Sequence, residues 1–97
     1  MRTTDHENMI HFLNRPSMYI STVNKDKIVS FMHGADFGKQ NKPYWTKKLK
    51  EFISTKFNIN GGALGWPNQV EIYSQKKNLN WTEAFKKLML QMIEESN

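Results

Sequence analysis

Apolar residues recur at helical spacing in two stretches of this 97-residue chain, and this feature limits its possible folds more than any other. The first stripe, over residues 45–57, lies opposite a lysine-rich side. The second follows Asn80, which can cap a helix start together with Glu83 in a variant of the capping box. Both patterns predict amphipathic helices that pack into a core. The stripes consist of Trp45, Leu49, Phe52 and Ile53, and of Trp81, Phe85, Leu88, Met89 and Met92.

Weaker patterns predict two further helices near the N-terminus. One covers residues 5–14 and ends before Pro16, because the residue preceding a proline avoids the α region. The other is expected from Asn24 to Ala35, with Gly34 allowing another element to approach closely. Residues 17–22 are too few and too β-branched for a helix. We expect them to form a loop that packs its apolar side chains.

Two segments in the second half are less distinct. The glycines at residues 58–65 predict a loop with positive φ angles, without the features of a phosphate-binding loop. Pro67 favours a helix over residues 70–73, although an alternating strand stays open there. The predicted fold is an all-α bundle of four to five helices in a single domain, residues 1–97. The alternative is an α+β fold with a short two-stranded element at residues 18–22 and 70–73.

Size and composition exclude several classes of protein. A chain this short forms one core and has no room for two lobes with an enzymatic cleft between them. It contains no cysteine, which excludes disulfide bonds, thiolate zinc sites and a thiol nucleophile. Residues 1–17 lack the apolar segment of a secretory signal, and the apolar run at 88–90 is far shorter than the roughly 20 residues that span a bilayer. We expect a cytoplasmic protein that does not contact membranes.

Candidate catalytic and metal-binding groups are sparse. His6 and His11 are five residues apart, which places them about 140° apart on a helix and prevents them from sharing a metal ion. His33 has no histidine near it in sequence, and no two carboxylates are paired at a spacing typical of acid–base catalysis. We therefore predict a protein without enzymatic activity, metal or cofactor.

The lysines between residues 39 and 56 support an alternative function. Six lysines and one acidic residue occur there, beside Tyr44 and Trp45, and the net charge of the chain is +5. Such a face could contact phosphates while an aromatic ring stacks on a base, as in a small basic nucleic-acid-binding regulator. A solvated lysine face is the competing interpretation. The residues assigned to nucleic-acid binding are Lys42, Lys47, Lys48 and Lys50.

The most distinctive segment is Arg-Pro-Ser-Met-Tyr-Ile at residues 15–20. It is similar to a segment of type II topoisomerase B subunits, but the Glu-x-x-x-Asn and Asp-x-Gly-x-Gly motifs of that ATPase domain do not occur in this sequence. Over nearly its whole length the chain resembles a group of small uncharacterised bacterial proteins, with Ser17 and Ala35 as departures. The matching positions are Arg15, Pro16, Met18, Tyr19, Gly34, Trp45, Phe57, Asn58, Ile59, Gly65, Trp66, Ile72, Tyr73, Ala84 and Phe85.

Proteins of this type resemble the immunity partners of polymorphic or contact-dependent growth inhibition toxins. The resemblance implies a protein that binds a cognate toxin domain, a nuclease being the expected kind. Arg15, Tyr19 and Trp66 are residue types enriched at interface hot spots. A nuclease with a basic cleft would need an acidic patch in its inhibitor, and otherwise the toxin itself is acidic. The candidates for the acidic patch are Asp26, Asp36, Glu71 and Glu83.

Overall fold

The computed structural model describes residues 4–37 and 45–95, and these residues contain helices and no strand. The all-α prediction is therefore confirmed, as is the helical interpretation of residues 70–73. Among the helices described, none combines the length and apolar character needed to cross a bilayer. The helices are α1 (Thr4–Asn14), α2 (Lys25–Phe37), α3 (Trp45–Phe57), α4 (Trp66–Lys77) and α5 (Trp81–Glu95), with 3₁₀ turns at Pro16–Met18 and Gly62–Leu64.

Asparagine residues define three of the helix ends. The side-chain oxygen of Asn24 accepts a hydrogen bond of 2.9 Å from the N–H of Lys27 and caps α2. At α5, the side-chain oxygen of Asn80 accepts the N–H of Glu83 at 2.8 Å, while its amide donates to the Glu83 carboxylate. Asn80 thus caps α5 as predicted, but Glu83 is bonded to the Asn80 side-chain amide and not to its main-chain N–H, so the full capping box does not form. Asn78 ends α4 in the left-handed conformation, with φ of 56°.

All five helices contribute to one hydrophobic core, and both predicted stripes lie in it. Helices α3, α4 and α5 pack against one another, α1 packs against α5, and α2 packs against α3. Burying side chains of this size contributes roughly 1.5–3 kcal/mol each before entropy is counted. The largest fully buried apolar side chains include Phe12, Met32, Leu49, Ile53, Val70, Phe85, Leu88 and Met89.

One local prediction is wrong in part and another is wrong. In residues 17–22, Ile20 packs against the core as expected of a loop that packs its apolar side chains. However, Pro16 begins a 3₁₀ turn, and Met18 and Tyr19 are exposed. The fixed φ of proline suits the start of such a turn, which directs the following side chains outward. Gly34 does not admit a neighbouring element, since no atom lies within 4 Å of where its Cβ would be. It lies about 200° around α2 from buried Met32 and faces solvent.

The loop between α3 and α4 is closed by close backbone contact. Gly62 and Gly65 have φ angles of 64° and 73°, which confirms the predicted positive-φ turn. A Cβ at Gly61 would lie 2.2 Å from the carbonyl oxygen of Gly65. Buried Gln69 secures the other side of the loop, because its amide donates to the carbonyl oxygen of Ile59 at 2.9 Å.

Candidate protein-binding surface

Exposed apolar side chains are concentrated in one short segment. Among the described residues, four large hydrophobic side chains are exposed: Met18 (65%), Tyr19 (44%), Val23 (41%) and Leu64. Three of the four lie within six consecutive residues between α1 and α2. Single exposed apolar residues are ordinary on protein surfaces, whereas a contiguous group marks an interaction site. We call the exposed side chains of Arg15, Met18, Tyr19 and Val23 the Arg15–Val23 surface.

Hydrogen bonds and ring contacts hold this segment in place. The N–H groups of Tyr19 and Ile20 donate to the carbonyl oxygen of Pro16 at 2.9 and 3.1 Å. The Tyr19 hydroxyl is hydrogen-bonded to Nδ1 of His11 on α1. The Tyr19 ring makes T-shaped contacts with Phe12 and Phe31, with centroid distances of 5.6 and 5.8 Å. The segment is therefore ordered before any partner binds, which lowers the entropy cost of binding.

A groove between α1, α2 and α5 adjoins the Arg15–Val23 surface. Its volume is about 190 Å³. Val23 belongs to both features, so the groove and the exposed segment are continuous. The apolar lining is formed by Phe12, Leu13, Pro16, Val23, Ile28 and Phe85, and the polar rim by Asn14, Thr82, Glu83 and Lys86.

Charged side chains of both signs line this groove. Lys86 and Glu83 lie on its polar rim. Lys86 forms no ion pair with another described residue. Glu83 lies in the first turn of α5, where the partial positive charge of the helix end favours a carboxylate. The formal charges of the groove lining are therefore balanced.

Trp66 and Asp36, two of the predicted partner-binding residues, lie inside the protein. The Trp66 ring is 6% exposed and packs against Trp81 and Phe85, although its Nε1 has no hydrogen-bond partner. The Asp36 carboxylate is 7% exposed and accepts hydrogen bonds from the N–H groups of Trp45 and Thr46 at 2.7 and 3.2 Å. Both residues contribute to packing, and neither is part of the Arg15–Val23 surface.

Two of the acidic residues of the predicted acidic patch are far apart. Asp26 and Asp36 lie at opposite ends of α2, about 15 Å apart along its axis. Glu71, on α4, forms an ion pair with Lys25 at 3.8 Å and accepts a hydrogen bond from Ser74. Glu83 accepts a hydrogen bond from the side-chain amide of Asn80 at the start of α5. The structure thus distributes these carboxylates over separate helices and helix ends.

The lysines of the alternative function lie on more than one side of α3. Lys47 and Lys50 are exposed, Lys47 opposite the core and Lys50 at the edge of the buried stripe. Lys48 instead lines an open groove between α3 and α5, together with Phe52 and Met92. Lys42 lies outside the described residues. Trp45, proposed as a base-stacking aromatic beside these lysines, is 3% exposed and therefore inaccessible to a base.

The three histidines occupy separate environments. His6 is buried with its ring edge against Trp45, His11 contacts Tyr19, and His33 is exposed beside Trp66. In the part of the chain that the structure describes, no three histidine or carboxylate side chains lie close enough together to hold a metal ion.

Comparisons with protein-family models, curated proteins and solved structures found no match to this chain. The candidate site therefore depends on the structure and the physical properties of its residues. Sequence reasoning included Arg15 and Tyr19 in this site and omitted Met18 and Val23. No signal in the sequence distinguished these two exposed side chains from buried ones, since a short apolar run after a proline is compatible with either.

Proposed function

We propose that this protein is a non-enzymatic binding protein that neutralises a cognate bacterial toxin domain by direct protein–protein contact, as immunity proteins do. The observation that supports this function best is the cluster of exposed Met18, Tyr19 and Val23 on a segment held by α1 and α2. Methionine, tyrosine and arginine are enriched at protein interfaces relative to the rest of the surface. The Arg15–Val23 surface has this composition.

The groove beside this surface is small for an enzyme substrate or a free metabolite. Small-molecule sites usually enclose about 300–1,000 Å³, and this groove has about 190 Å³. A shallow apolar depression next to protruding apolar side chains is typical of the centre of a protein interface. In this proposal the bound protein blocks the toxin sterically, without chemistry from the inhibitor.

The test is a pull-down of tagged protein from its native host, with nuclease treatment of half the sample, followed by growth assays of each captured protein. We expect a stoichiometric protein partner that survives nuclease treatment, arrests growth when expressed alone and no longer does so when this protein is co-expressed. Recovery of nucleic acid that is lost on nuclease treatment and at raised salt would overturn the proposal in favour of a nucleic-acid-binding regulator. A captured protein that leaves growth unaffected would also contradict it.

A further inference from the structure

We propose that Met18 is a reversible oxidation site, at which a peroxide converts the thioether to a sulfoxide and makes the Arg15–Val23 surface more polar. This inference rests on the proposed function in one respect, since the oxidised protein is expected to lose a protein bound at that surface. It adds regulation of the same surface by an oxidant.

Exposure separates Met18 from the other described methionines. The sequence contains no cysteine, so methionine supplies all of its sulfur. Met18 is 65% exposed. The other four described methionines are 6% exposed or less and lie in the hydrophobic core: Met9, Met32, Met89 and Met92. An oxidant in water reaches an exposed sulfur directly, whereas a buried sulfur must first be uncovered by local or global unfolding.

The position of Met18 allows its side chain to be oxidised without unfolding the protein. Met18 ends the 3₁₀ turn that begins at Pro16, and its N–H donates to the carbonyl oxygen of Arg15 at 3.1 Å. This contact is made by the main chain, so a change at the sulfur does not remove it. The side chain lies outside the hydrophobic core. A sulfoxide at Met18 therefore changes the surface and leaves the bundle intact.

The reaction is a two-electron oxidation of the thioether by a peroxide. The sulfur lone pair attacks one oxygen of hydrogen peroxide, a sulfur–oxygen bond forms and the O–O bond breaks. The proton of the transferred hydroxyl group passes to the departing hydroxide, which leaves as water. Sulfur is thus oxidised and peroxide is reduced. Methionine sulfoxide reductases reverse the step with two thiols, which become a disulfide as the oxygen leaves in water.

The sulfoxide changes how this surface interacts with a protein. It is polar and accepts hydrogen bonds, and burying it against apolar groups without a donor is unfavourable. The unoxidised Met18 side chain is apolar and loses little when it is buried. Oxidation therefore opposes the burial of the Arg15–Val23 surface in an interface.

The first test treats the purified, folded protein with hydrogen peroxide and follows each methionine by fragment-ion mass spectrometry. We expect Met18 to be oxidised at least about tenfold faster than the core methionines. The two methionine sulfoxide reductases, one for each sulfoxide epimer, should restore it in the presence of dithiothreitol. The oxidised protein should elute earlier from a hydrophobic-interaction column, and circular dichroism should show that it is still folded.

The matched control is Met18→Leu, which keeps an apolar side chain and removes the sulfur. Peroxide should leave its elution unchanged. Met1, which lies outside the described residues, is present in both proteins, so its oxidation affects both equally. In a pull-down from host lysate, peroxide treatment should lower partner recovery on the order of tenfold for the wild-type protein and by less than about twofold for Met18→Leu.

Several results would overturn the inference. These are equal oxidation rates at Met18 and at the core methionines, failure of the reductases to restore Met18, unfolding when Met18 alone is oxidised, and an equal shift in elution for both proteins. If the wild-type protein captures a toxin whose recovery does not change with peroxide, the inference falls and the proposed function stands. If no partner is captured, the proposed function falls, and the oxidation rates and the elution decide the oxidation site.

Discussion

The carboxylate of Asp36, near the end of α2, accepts a hydrogen bond of 2.7 Å from the main-chain N–H of Trp45, the first residue of α3. The N–H and hydroxyl groups of Thr46 donate to the same carboxylate. A side chain from one helix thus satisfies the free N–H groups at the start of the next, where negative charge is also favoured. Asp36 therefore links α2 to α3.

We predict that Asp36→Ala lowers the free energy of unfolding by about 1–3 kcal/mol, because it removes the side-chain acceptor at the start of α3. The matched control is Asp26→Ala, which removes an exposed carboxylate from the same helix and should cost less than about 1 kcal/mol. Urea unfolding followed by circular dichroism measures both. Equal losses in the two variants would contradict the assigned role.

Two glycine substitutions should have opposite effects on stability. Gly34 is exposed within α2 with open space at its Cβ position, so Gly34→Ala should stabilise the protein by roughly 0.5–1 kcal/mol. A Cβ at Gly61 would collide with the backbone of Gly65, so Gly61→Ala should destabilise it by about 1–3 kcal/mol. Thermal unfolding of the two variants provides the comparison. A shift of the midpoint in the same direction for both would refute this account of the two sites.

Gln69 should be necessary for the conformation of the loop that precedes α4. Its amide donates to the carbonyl oxygen of Ile59 and to the hydroxyl of Ser54, both at 2.9 Å, and it is fully buried. Gln69→Ala removes these donors, and we expect a loss of about 1–3 kcal/mol. Gln75→Ala, an exposed position on the same helix, should change the free energy of unfolding by about 0.5 kcal/mol or less. Equal effects in urea unfolding would exclude the proposed role of Gln69.

The ion pair between Lys56 and Glu95 predicts a specific pH dependence. The hydrogen bond from Lys56, and secondarily that from Gln91, holds the pKa of Glu95 below its ordinary value. Because the pKa is lower in the folded state, the pair stabilises the protein above the unfolded-state pKa, and this contribution is lost as pH falls through the folded-state pKa. Lys56→Gln should raise the pKa of Glu95.

Carboxyl-carbon NMR of Glu95 during a pH titration measures this change. The control variant is Lys50→Gln. Lys50 lies on the same helix and forms no ion pair with a described residue, so its removal should not raise the pKa of Glu95. Raised salt should shift the wild-type titration towards that of Lys56→Gln, since the pair is exposed. An identical Glu95 titration in Lys56→Gln and wild type would rule out the pairing.

Much of the fold could be predicted from the sequence, because local signals agree with the final packing. The stripes at Trp45–Ile53 and Trp81–Met92 have helical spacing, and Asn80 with Glu83 marks a helix start. The prediction for Gly34 is wrong because a glycine within a helix either allows another element to approach closely or simply faces solvent. Only the orientation of α2 in the bundle, with Met32 inward, decides between them.

The candidate site was less predictable, because it depends on long-range packing. Phe12 and Phe85 are 73 positions apart in sequence, yet both line the groove. No periodicity reveals that contact. Hot-spot residue types suggested Arg15, Tyr19 and Trp66 together, but the bundle buries Trp66 and leaves Met18 exposed instead. Residue type indicates which side chains suit an interface, and the fold determines which of them reach the surface.

The most direct test of the central claim compares how much partner is recovered by the wild-type protein, by Met18→Ser/Val23→Ser and by Leu64→Ser in the same pull-down. Leu64 is an equally apolar, exposed side chain outside the Arg15–Val23 surface, and circular dichroism would establish that all three proteins are folded. We expect the double variant to lose the partner and Leu64→Ser to retain it. Full recovery of the partner by the folded double variant would show that binding occurs elsewhere and would contradict the account.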